Sequence, residues 1–382
     1  MIKDRMQWVE VSRRALVRNV GQFRKLIGKD KKFLAVVKAN AYGHGLREVS
    51  RIVLGAGVDW LGVNSVEEGI ALREGHIRAP ILVLGATGRG EIEAACTNDL
   101  HLTVYSRETV RDLGRTARKL GKKVAIHLKL ETGTHRQGLP PEELLKLVKF
   151  VRQFPGLRLE GISSHFANIE DTTSSAYPEH QLKIFRDLID RLRRQGIHIP
   201  IKHMSSTASS IVFPETYFDM VRIGIGLYGL WPSKETFLSC RLRNRSPLEL
   251  TPVLSWRARI AQVKKVPRGS FIGYGCTYRT TRPTRLAVVP VGYYDGYSRS
   301  LSNASYVLVR GKRAFVRGRI AMNFLMADVT DIPGVEPADA VTLIGHDGKE
   351  AIAAEALASL AGTIGYEILA RINPLVPRIV VS

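Results

Sequence analysis

The sequence has few cysteines and no long apolar run, and each absence excludes a class of protein. Cys96, Cys240 and Cys276 are the only cysteines among the 382 residues, and they lie far apart. An odd, dispersed set argues against a disulfide framework and against a zinc site of the CxxC type, so no metal is expected. No apolar run approaches the roughly 18–20 residues that span a bilayer, and the first eight residues contain no apolar signal region. We therefore expect a cytoplasmic protein without membrane segments.

Acidic residues are also scarce. The chain has 35 Asp and Glu against 57 Lys and Arg, a net charge of +22, and residues 241–320 contain 17 basic residues but only Glu249 and Asp295 as acids. Such an excess makes a basic nucleic-acid-binding protein an alternative. The stretch has no helix-turn-helix, zinc-finger or aromatic RNA-binding pattern. A solvated basic face that attracts an anionic substrate is therefore favoured, and no nucleic-acid partner is expected.

Residues 1–240 alternate short apolar runs with patterns of helical spacing. The runs are not polar at alternate positions, as is typical of parallel strands buried on both faces. Eight strands, each followed by a helix, predict an N-terminal (β/α)8 TIM barrel. The predicted strands are Phe33–Val37, Trp60–Val63, Ile81–Leu84, Leu102–Tyr105, Val124–Leu130, Leu159–Ser163, Ile199–Met204 and Asp219–Ile223. The clearest helical patterns are Val66–Gly75, Glu108–Leu120, Pro141–Gln153 and His180–Gln195.

Residues 241–382 have a different pattern, in which short apolar runs are joined by Gly, Pro and Asn turns. They predict a C-terminal, mainly β domain with one helix, Ala353–Leu360, and a boundary near residues 233–247. The predicted strands are Arg257–Val266, Thr284–Val291, Tyr306–Val309, Phe315–Arg317, Leu325–Val329 and Val341–Ile344.

Chemistry in a (β/α)8 barrel lies at the carboxyl ends of the strands, and the first predicted strand ends at Lys38. Burial lowers the pKa of a lysine amine and so favours its use as a Schiff-base nucleophile. A lysine that extends to the surface is the alternative, and Lys38 alone does not decide between them.

The wider sequence does decide. Residues 36–45, Val-Val-Lys-Ala-Asn-Ala-Tyr-Gly-His-Gly, resemble the pyridoxal-phosphate attachment segment of the alanine racemase family. Further segments of the chain resemble this family in the same order: residues 129–138, 164–167, 220–225, 273–275, 292–293 and 319–322. The resemblance implies the same two-domain fold, in which residues 1–10 form a strand of the β domain.

The resemblance implies a pyridoxal 5'-phosphate site at the ends of the last strands. Residues 224–229 happen to spell GxGxxG, but they do not follow the first strand of a βαβ unit, so a dinucleotide fold is not indicated. Loops after the seventh and eighth barrel strands commonly hold phosphate. By resemblance, the phosphate ligands are Tyr42, Thr207, Gly224, Ile225 and Tyr366. This chain has Ser206-Thr207 where the family usually has Asn-Ser, which keeps the hydroxyl group but not the amide.

Three further roles concern the reaction. Arg222 is expected to face the pyridine nitrogen, where an arginine cannot accept a proton and therefore leaves the ring neutral. Racemisation is done most simply by two bases on opposite faces of the substrate Cα, and the resemblance implies that these are Lys38 and Tyr274. His165 is expected to hydrogen-bond Tyr274 and, with the charge of Arg222, to help that phenol ionise.

By the same resemblance, Arg136 is expected to bind the substrate carboxylate or the cofactor phenolate, and Met322 to lie at the substrate. The resemblance also makes Lys129 a candidate for carbamylation, which would orient Arg136. The chain departs from the family at Glu131 (commonly Asp), at Thr134-His135 (commonly Met-Gly) and at Asn323 (generally Asp). Tyr293 and Tyr366 resemble the aromatic residues at the family's active-site entrance, and aromatic core packing is the alternative for both.

The sequence thus predicts a pyridoxal-phosphate-dependent enzyme that racemises alanine and supplies D-alanine for peptidoglycan. The family's shared sites imply a homodimer in which Tyr274 and Met322 act on the partner subunit. A racemase of broader specificity and a barrel-type amino-acid decarboxylase remain alternatives. The decarboxylases pair the ring nitrogen with an acid, whereas this chain has Arg222.

Overall fold

The computed structural model describes residues 5–243 and 248–382. They form two compact units. The barrel unit contains Leu16–Ala41 and Leu46–Thr251, and the β unit contains residues 5–15, Tyr42–Gly45 and Pro252–Ser382. The predicted division of the chain at residue 240 stays a prediction, and part of the predicted boundary region, residues 244–247, lies outside the described residues.

The barrel unit is built on eight parallel strands, and the predicted fold class is confirmed. In chain order the barrel strands are Lys32–Val36, Trp60–Val63, Ile81–Val83, His101–Val104, Val124–Lys129, Leu157–Ser163, Ile201–His203 and Met220–Ile223. The first seven pair consecutively in chain order, and the eighth pairs with the first. The backbone N–H groups of Asp219 and Arg222 donate to the carbonyls of Lys202 (3.0 Å) and Ser205 (3.3 Å). These bonds join the seventh strand to the eighth and close the barrel.

Helices follow the barrel strands, as the apolar spacing predicts. Helix Arg107–Leu120 shows the local reasons for their ends: the Ser106 hydroxyl accepts the N–H of Thr109, and Gly121 ends the helix in the left-handed conformation at φ 62°. The helices of eight or more residues in this unit are Arg13–Ile27, Leu46–Gly55, Val66–Glu74, Arg107–Leu120, Pro141–Val151, Ala176–Arg194 and Lys234–Arg243, the first of which begins in the β unit. The four predicted helices all occur, with no end shifted by more than four residues.

The β unit contains one ten-stranded sheet, mostly antiparallel. Its strands are Gln7–Ser12, Leu254–Arg259, Gln262–Val266, Thr284–Val289, Tyr306–Val309, Lys312–Val316, Leu325–Asp328, Ala340–Asp347, Glu350–Ile352 and Arg378–Val381. Strand Gln7–Ser12 pairs with Leu254–Arg259 and with Arg378–Val381. Residues 1–4 of the strand expected at residues 1–10 lie outside the described residues.

Two predictions for the β unit are wrong. The predicted strand Arg257–Val266 is two strands, because the chain changes its pairing partner at Ile260. Before this residue the chain pairs with Ala340–Asp347, and after it the chain pairs with Thr284–Val289. Residues 252–382 contain two α-helices, Ala354–Ala361 and Gly365–Ala370, where one was predicted. Within the described parts of the chain, none of the helices is long and apolar enough to cross a membrane.

Candidate active site

Lys38 opens a left-handed turn directly after the first barrel strand. Ala39, Asn40 and Ala41 have φ and ψ near +50°, and Tyr42 has φ 52°. For L-residues this conformation costs about 1–2 kcal/mol per residue. Four consecutive residues stay in it only where surrounding contacts hold them there. The turn is therefore a strained element that presents Lys38.

One glutamate provides much of that support. The Glu68 carboxylate accepts the N–H of Ala39 at 2.6 Å and that of Asn40 at 3.4 Å through Oε1, and the N–H of Asn64 at 2.7 Å through Oε2. Asn40 in turn accepts the N–H of Leu46 at 2.8 Å through Oδ1. Sequence reasoning missed Glu68. The available signal was its place in the first turn of the helix that follows the second barrel strand.

Lys38 is set in a cationic environment. Burial lowers the pKa of its amine, the positive charge of Arg136 lowers it further, and the carboxylate of Glu68 opposes both effects. A lowered pKa leaves more of the amine neutral and therefore nucleophilic at neutral pH. The structure thus favours the buried, reactive interpretation of Lys38 over the surface one.

Arg222 lies in the eighth barrel strand, paired in register with Leu34 of the first. Its guanidinium donates to the carbonyls of Ser164 (2.9 Å) and Met204 (3.0 Å), to His203 Nδ1 (2.8 Å) and, at 3.3 Å, to His165 Nδ1. The residue is only 7% exposed, and no carboxylate of a described residue lies within ion-pair distance of it. Burial lowers the pKa of Arg222 to about 10. A buried cation without an anionic partner is suited to a polar or anionic ligand.

The bonds of Arg222 assign the tautomers of the histidines beside it. Arginine can only donate, so His203 accepts at Nδ1 and carries its proton on Nε2. That proton is donated to His127 Nδ1, 2.9 Å away, which leaves the His127 proton on Nε2. His165 likewise accepts at Nδ1, and its Nε2–H is left as a donor. Sequence reasoning predicted His165 but missed His203 and His127, which lie within barrel strands.

The buried pair His127 and His203 predicts a loss of stability in acid. Burial holds the pKa of both imidazoles well below the usual value, and neighbouring positive charges lower it further. Below about pH 6.5 these two imidazoles bind protons in the unfolded chain but stay neutral in the folded protein. Stability is therefore complete above that pH and falls by about 1.4 kcal/mol per pH unit for each histidine as the pH drops towards the folded pKa. Urea unfolding between about pH 7 and pH 5 measures the slope.

His127→Asn keeps an acceptor for His203 but removes one titrating group. We therefore expect the free energy of unfolding of this variant to change less steeply with pH, by the contribution of one histidine. The matched control is His346→Asn in the β unit, where the histidine is exposed. If His127→Asn has the wild-type slope, the buried pair does not cause the acid sensitivity.

Lys129 ends the fifth barrel strand and lies in the same cationic region. Burial lowers the pKa of its amine well below the usual value, Arg222 and Arg136 lower it further, and Glu131 opposes them. The Glu131 carboxylate is bound to its own loop, where it accepts the N–H groups of Gly133, Thr134 and Arg136. Burial alone would raise the pKa of Glu131, but these bonds outweigh it and keep the pKa below the usual value.

The loops after the seventh and eighth strands bring three predicted phosphate ligands together. Thr207 begins a six-residue helix, and its Oγ1 accepts the N–H of Gly224 at 3.0 Å. Ile225 begins a 3-10 helix, Ile225–Tyr228. A Cβ at Gly226 would lie 2.4 Å from Phe23 and 2.7 Å from the Thr207 methyl group, so this approach needs glycine.

Tyr42 and Tyr366, the other predicted phosphate ligands, belong to the β unit, with ring centroids 6.1 Å apart. A Cβ at Gly43 would lie 2.0 Å from the Leu369 carbonyl oxygen, and Gly43 has φ 83°. Glycine is therefore required after Tyr42 for the segment to pack against helix Gly365–Ala370.

Tyr274 and Met322 also lie in the β unit and are strongly exposed, at 73% and 54%. Tyr274 follows Gly273, which has φ 72°. Its side chain lines a hollow of about 810 Å³ together with Arg319 and Phe324. The backbone before Met322 is held by the loop at Gly292 and Tyr293. The N–H of Tyr293 donates to the Ala321 carbonyl at 3.1 Å, and a Cβ at Gly292 would lie 2.2 Å from that oxygen.

The barrel unit thus presents two amines, Lys38 and Lys129, and the buried guanidinium of Arg222 at the carboxyl ends of its strands. This arrangement defines a (β/α)8-barrel enzyme whose site suits covalent amine chemistry on an anionic ligand.

Comparisons with known proteins agree with this class. The family model described as "Alanine racemase, N-terminal domain" matches residues 11–232, and "Alanine racemase, C-terminal domain" matches residues 253–380. The chain is 42% identical to an alanine racemase of Leptospira interrogans over 98% of this chain and 96% of that one. Its structure is similar to that of the alanine racemase of Clostridium difficile 630 (TM-score 0.93, 34% identity, 99% and 96% of the two chains). It is also similar to a histidine racemase of Leuconostoc mesenteroides (TM-score 0.89, 28% identity, 99% of each chain).

The chain therefore belongs to the alanine racemase family. It is an isomerase of the amino-acid racemase class, as the resemblance in its sequence predicts.

Proposed function

We propose that this protein interconverts L-alanine and D-alanine in the cytoplasm with pyridoxal 5'-phosphate as cofactor, and supplies D-alanine for peptidoglycan. The observation that carries the proposal is the pairing of the first and eighth barrel strands, which brings Lys38 and Arg222 to the ends of neighbouring strands. When bound, the cofactor supplies an aldehyde that bonds to amines and a conjugated ring that spreads the charge left when Cα loses its proton.

The residues present fit that cofactor. Lys38 has the lowered pKa that a covalent anchor needs, and Arg222 is a buried cation that donates and cannot accept, which suits an unprotonated ring nitrogen. Thr207, Gly224 and Ile225 would hold the phosphate with Tyr42 and Tyr366. The hydrogen bond from the Gly224 N–H to Thr207 Oγ1 supports the first three, because it joins the two loops that carry them.

Racemisation needs one proton removed from one face of Cα and another returned to the opposite face. Lys38 Nζ would serve one face and Tyr274 Oη of the partner subunit the other. His165 supports this role for the tyrosine, because its Nδ1 faces Arg222 and its Nε2–H is left as a donor to a phenolate. Donation from nitrogen to the ionised oxygen favours the charged form of tyrosine.

Arg136 and the partner subunit's Met322 would bind the substrate. We include carbamylation of Lys129 in the proposal, because its lowered pKa favours the neutral amine that reacts with carbon dioxide. The carbamate would place a negative charge within reach of Arg136 and Arg222, both of whose charges act on the Lys129 amine. The Glu131 carboxylate is already bound to its own loop. Asn323 would leave the substrate region with one negative charge fewer than an aspartate.

The β unit supports a homodimer. Phe271, Tyr274, Met322 and Phe324 are large and exposed, and Tyr274 and Phe324 line the same hollow. Exposed apolar patches of this kind are typical of interaction sites, and twofold dimers are the commonest oligomers. A second copy of this chain is the proposed occupant, and each active site would then combine Lys38 of one subunit with Tyr274 of the other.

Mixing two inactive variants tests the shared site. Lys38→Ala and Tyr274→Phe are each expected to be almost inactive, and subunit exchange makes about half of the dimers mixed. Each mixed dimer has one site with both defects and one intact site, so we expect activity to recover to about a quarter of wild type. Mass spectrometry of the native dimers verifies the exchange. Exchange without recovery would mean that Tyr274 acts in its own subunit.

Incubation of the wild-type protein with cofactor and L-alanine tests the function itself. We expect chiral chromatography to detect D-alanine and expect no carbon dioxide, which a decarboxylase would release. L-histidine is the informative second substrate, since one structural relative is a histidine racemase. Absence of D-alanine from protein with bound cofactor would refute the proposal.

A further inference from the structure

Glu68 is the acidic side chain that joins the loop after the second barrel strand to the turn that carries Lys38. Glu68 belongs to a common local motif at the start of a helix. Residues 65–68, Ser-Val-Glu-Glu, form the pattern of a capping box, and the Ser65 hydroxyl accepts the N–H of Glu68. In such a box the glutamate returns to the N–H of the capping residue. Here Glu68 instead binds the N–H of Asn64, one residue earlier, and the turn at Ala39 and Asn40.

Both carboxylate oxygens are used in this connection. Oε2 accepts from Asn64 and Oε1 accepts from the turn, so the carboxylate bridges the loops that follow neighbouring parallel strands. The bridged turn is left-handed at four consecutive residues, a conformation that the residues themselves disfavour. Capping a helix needs only one of these contacts. The second contact fixes the backbone from which the Lys38 side chain extends.

The charge of Glu68 is also placed where it acts on Lys38. The amine is buried, and Arg136 adds a repulsive positive charge, while Glu68 is the carboxylate that offsets both. A neutral group at position 68 would keep a helix cap but would remove this balance. The two effects, on backbone geometry and on charge, can be separated by the choice of substitution.

We propose that Glu68 is a positioning residue of the reaction: it holds the Lys38 turn in its left-handed form, and its charge supports the ammonium form of the Lys38 amine. This role rests on the proposed function, because it is exerted through Lys38 on the proton transfer. It assigns to Glu68 no contact with substrate or cofactor.

Glu68→Gln tests the charge. The amide has nearly the same shape but no charge and only one oxygen acceptor, so the midpoint of Lys38 ionisation should fall. The readout is competitive labelling of the cofactor-free protein with an acylating reagent over a range of pH, with Lys38 followed by mass spectrometry. We expect the midpoint to drop by about half a pH unit or more relative to wild type. In the proposed reaction Lys38 returns a proton to Cα in one direction and so needs its ammonium form, which Glu68→Gln makes scarcer. We therefore also expect kcat for alanine to fall by about tenfold or more with KM little changed.

Glu68→Asp tests the position. Aspartate keeps the charge, but it is one methylene shorter and cannot bridge both loops. We expect its labelling midpoint to stay near wild type while kcat falls. Glu67→Gln is the matched control, because Glu67 is exposed on the same helical turn, and we expect both its midpoint and its kcat to stay at the wild-type values.

The outcomes are distinct. An unchanged Lys38 midpoint in Glu68→Gln would overturn the charge effect whatever the activity, and a wild-type kcat in Glu68→Asp would overturn the positioning. If Glu68→Gln does not fold, as judged by thermal unfolding, Glu68→Asp still decides the positioning. If wild type forms no D-alanine at all, the proposed function fails instead, and the labelling midpoint still reports on Glu68.

Discussion

Lys38→Ala is expected to abolish almost all racemisation, by about 10⁴-fold or more, because the substitution would remove both the proposed covalent anchor and one of the two proposed bases. The expected spectroscopic result is loss of the visible absorbance that the cofactor acquires when it is bonded to a lysine. Borohydride treatment followed by peptide mass spectrometry should then find no cofactor attached to the chain. The variant should fold, because Lys38 lies after the last residue of its strand and its backbone bonds are kept.

Lys32→Ala is the matched control for this prediction. Lys32 is an exposed lysine at the opposite end of the same barrel strand. It should keep wild-type absorbance, attachment and activity. A Lys38→Ala protein that still holds the cofactor covalently after dialysis would show that a different lysine is the anchor.

Arg222→Glu is expected to change the course of the reaction as well as its rate. Arginine cannot take a proton from the ring nitrogen, whereas a carboxylate at this position favours a protonated ring, which stabilises the negative charge at Cα more strongly. We expect racemisation to slow by about 100-fold or more. We also expect a larger share of turnovers to end in transamination. The measurement is the ratio of pyruvate to D-alanine formed from L-alanine.

Arg222→Lys separates this electronic effect from simple damage. Lysine keeps the positive charge but loses the planar fork that reaches His203 and two backbone carbonyls. It should therefore slow racemisation without raising the share of transamination. If Arg222→Glu gives the wild-type ratio of products, the arginine does not control the ring.

The (β/α)8 barrel could be predicted from the sequence because its strands are buried on both faces and therefore appear as continuous apolar runs. The β unit was harder, since an apolar run does not record where a strand changes partner. The predicted strand Arg257–Val266 is divided at Ile260 because its two parts pair with two different strands. Helix Gly365–Ala370 is only six residues long, too short for a reliable apolar period.

The candidate site divides in a similar way. The sequence by itself determined the family, and it predicted Lys38 and Arg222, because a reactive amine and a guanidinium at strand ends are local features of a specific motif. Only the tertiary structure decided how these groups are held. Glu68 meets the Lys38 turn across 29 residues of sequence, and His203 meets His127 across 76. Their effects on strain, tautomer and charge depend on distances of a few ångströms that barrel closure sets and that no local pattern encodes.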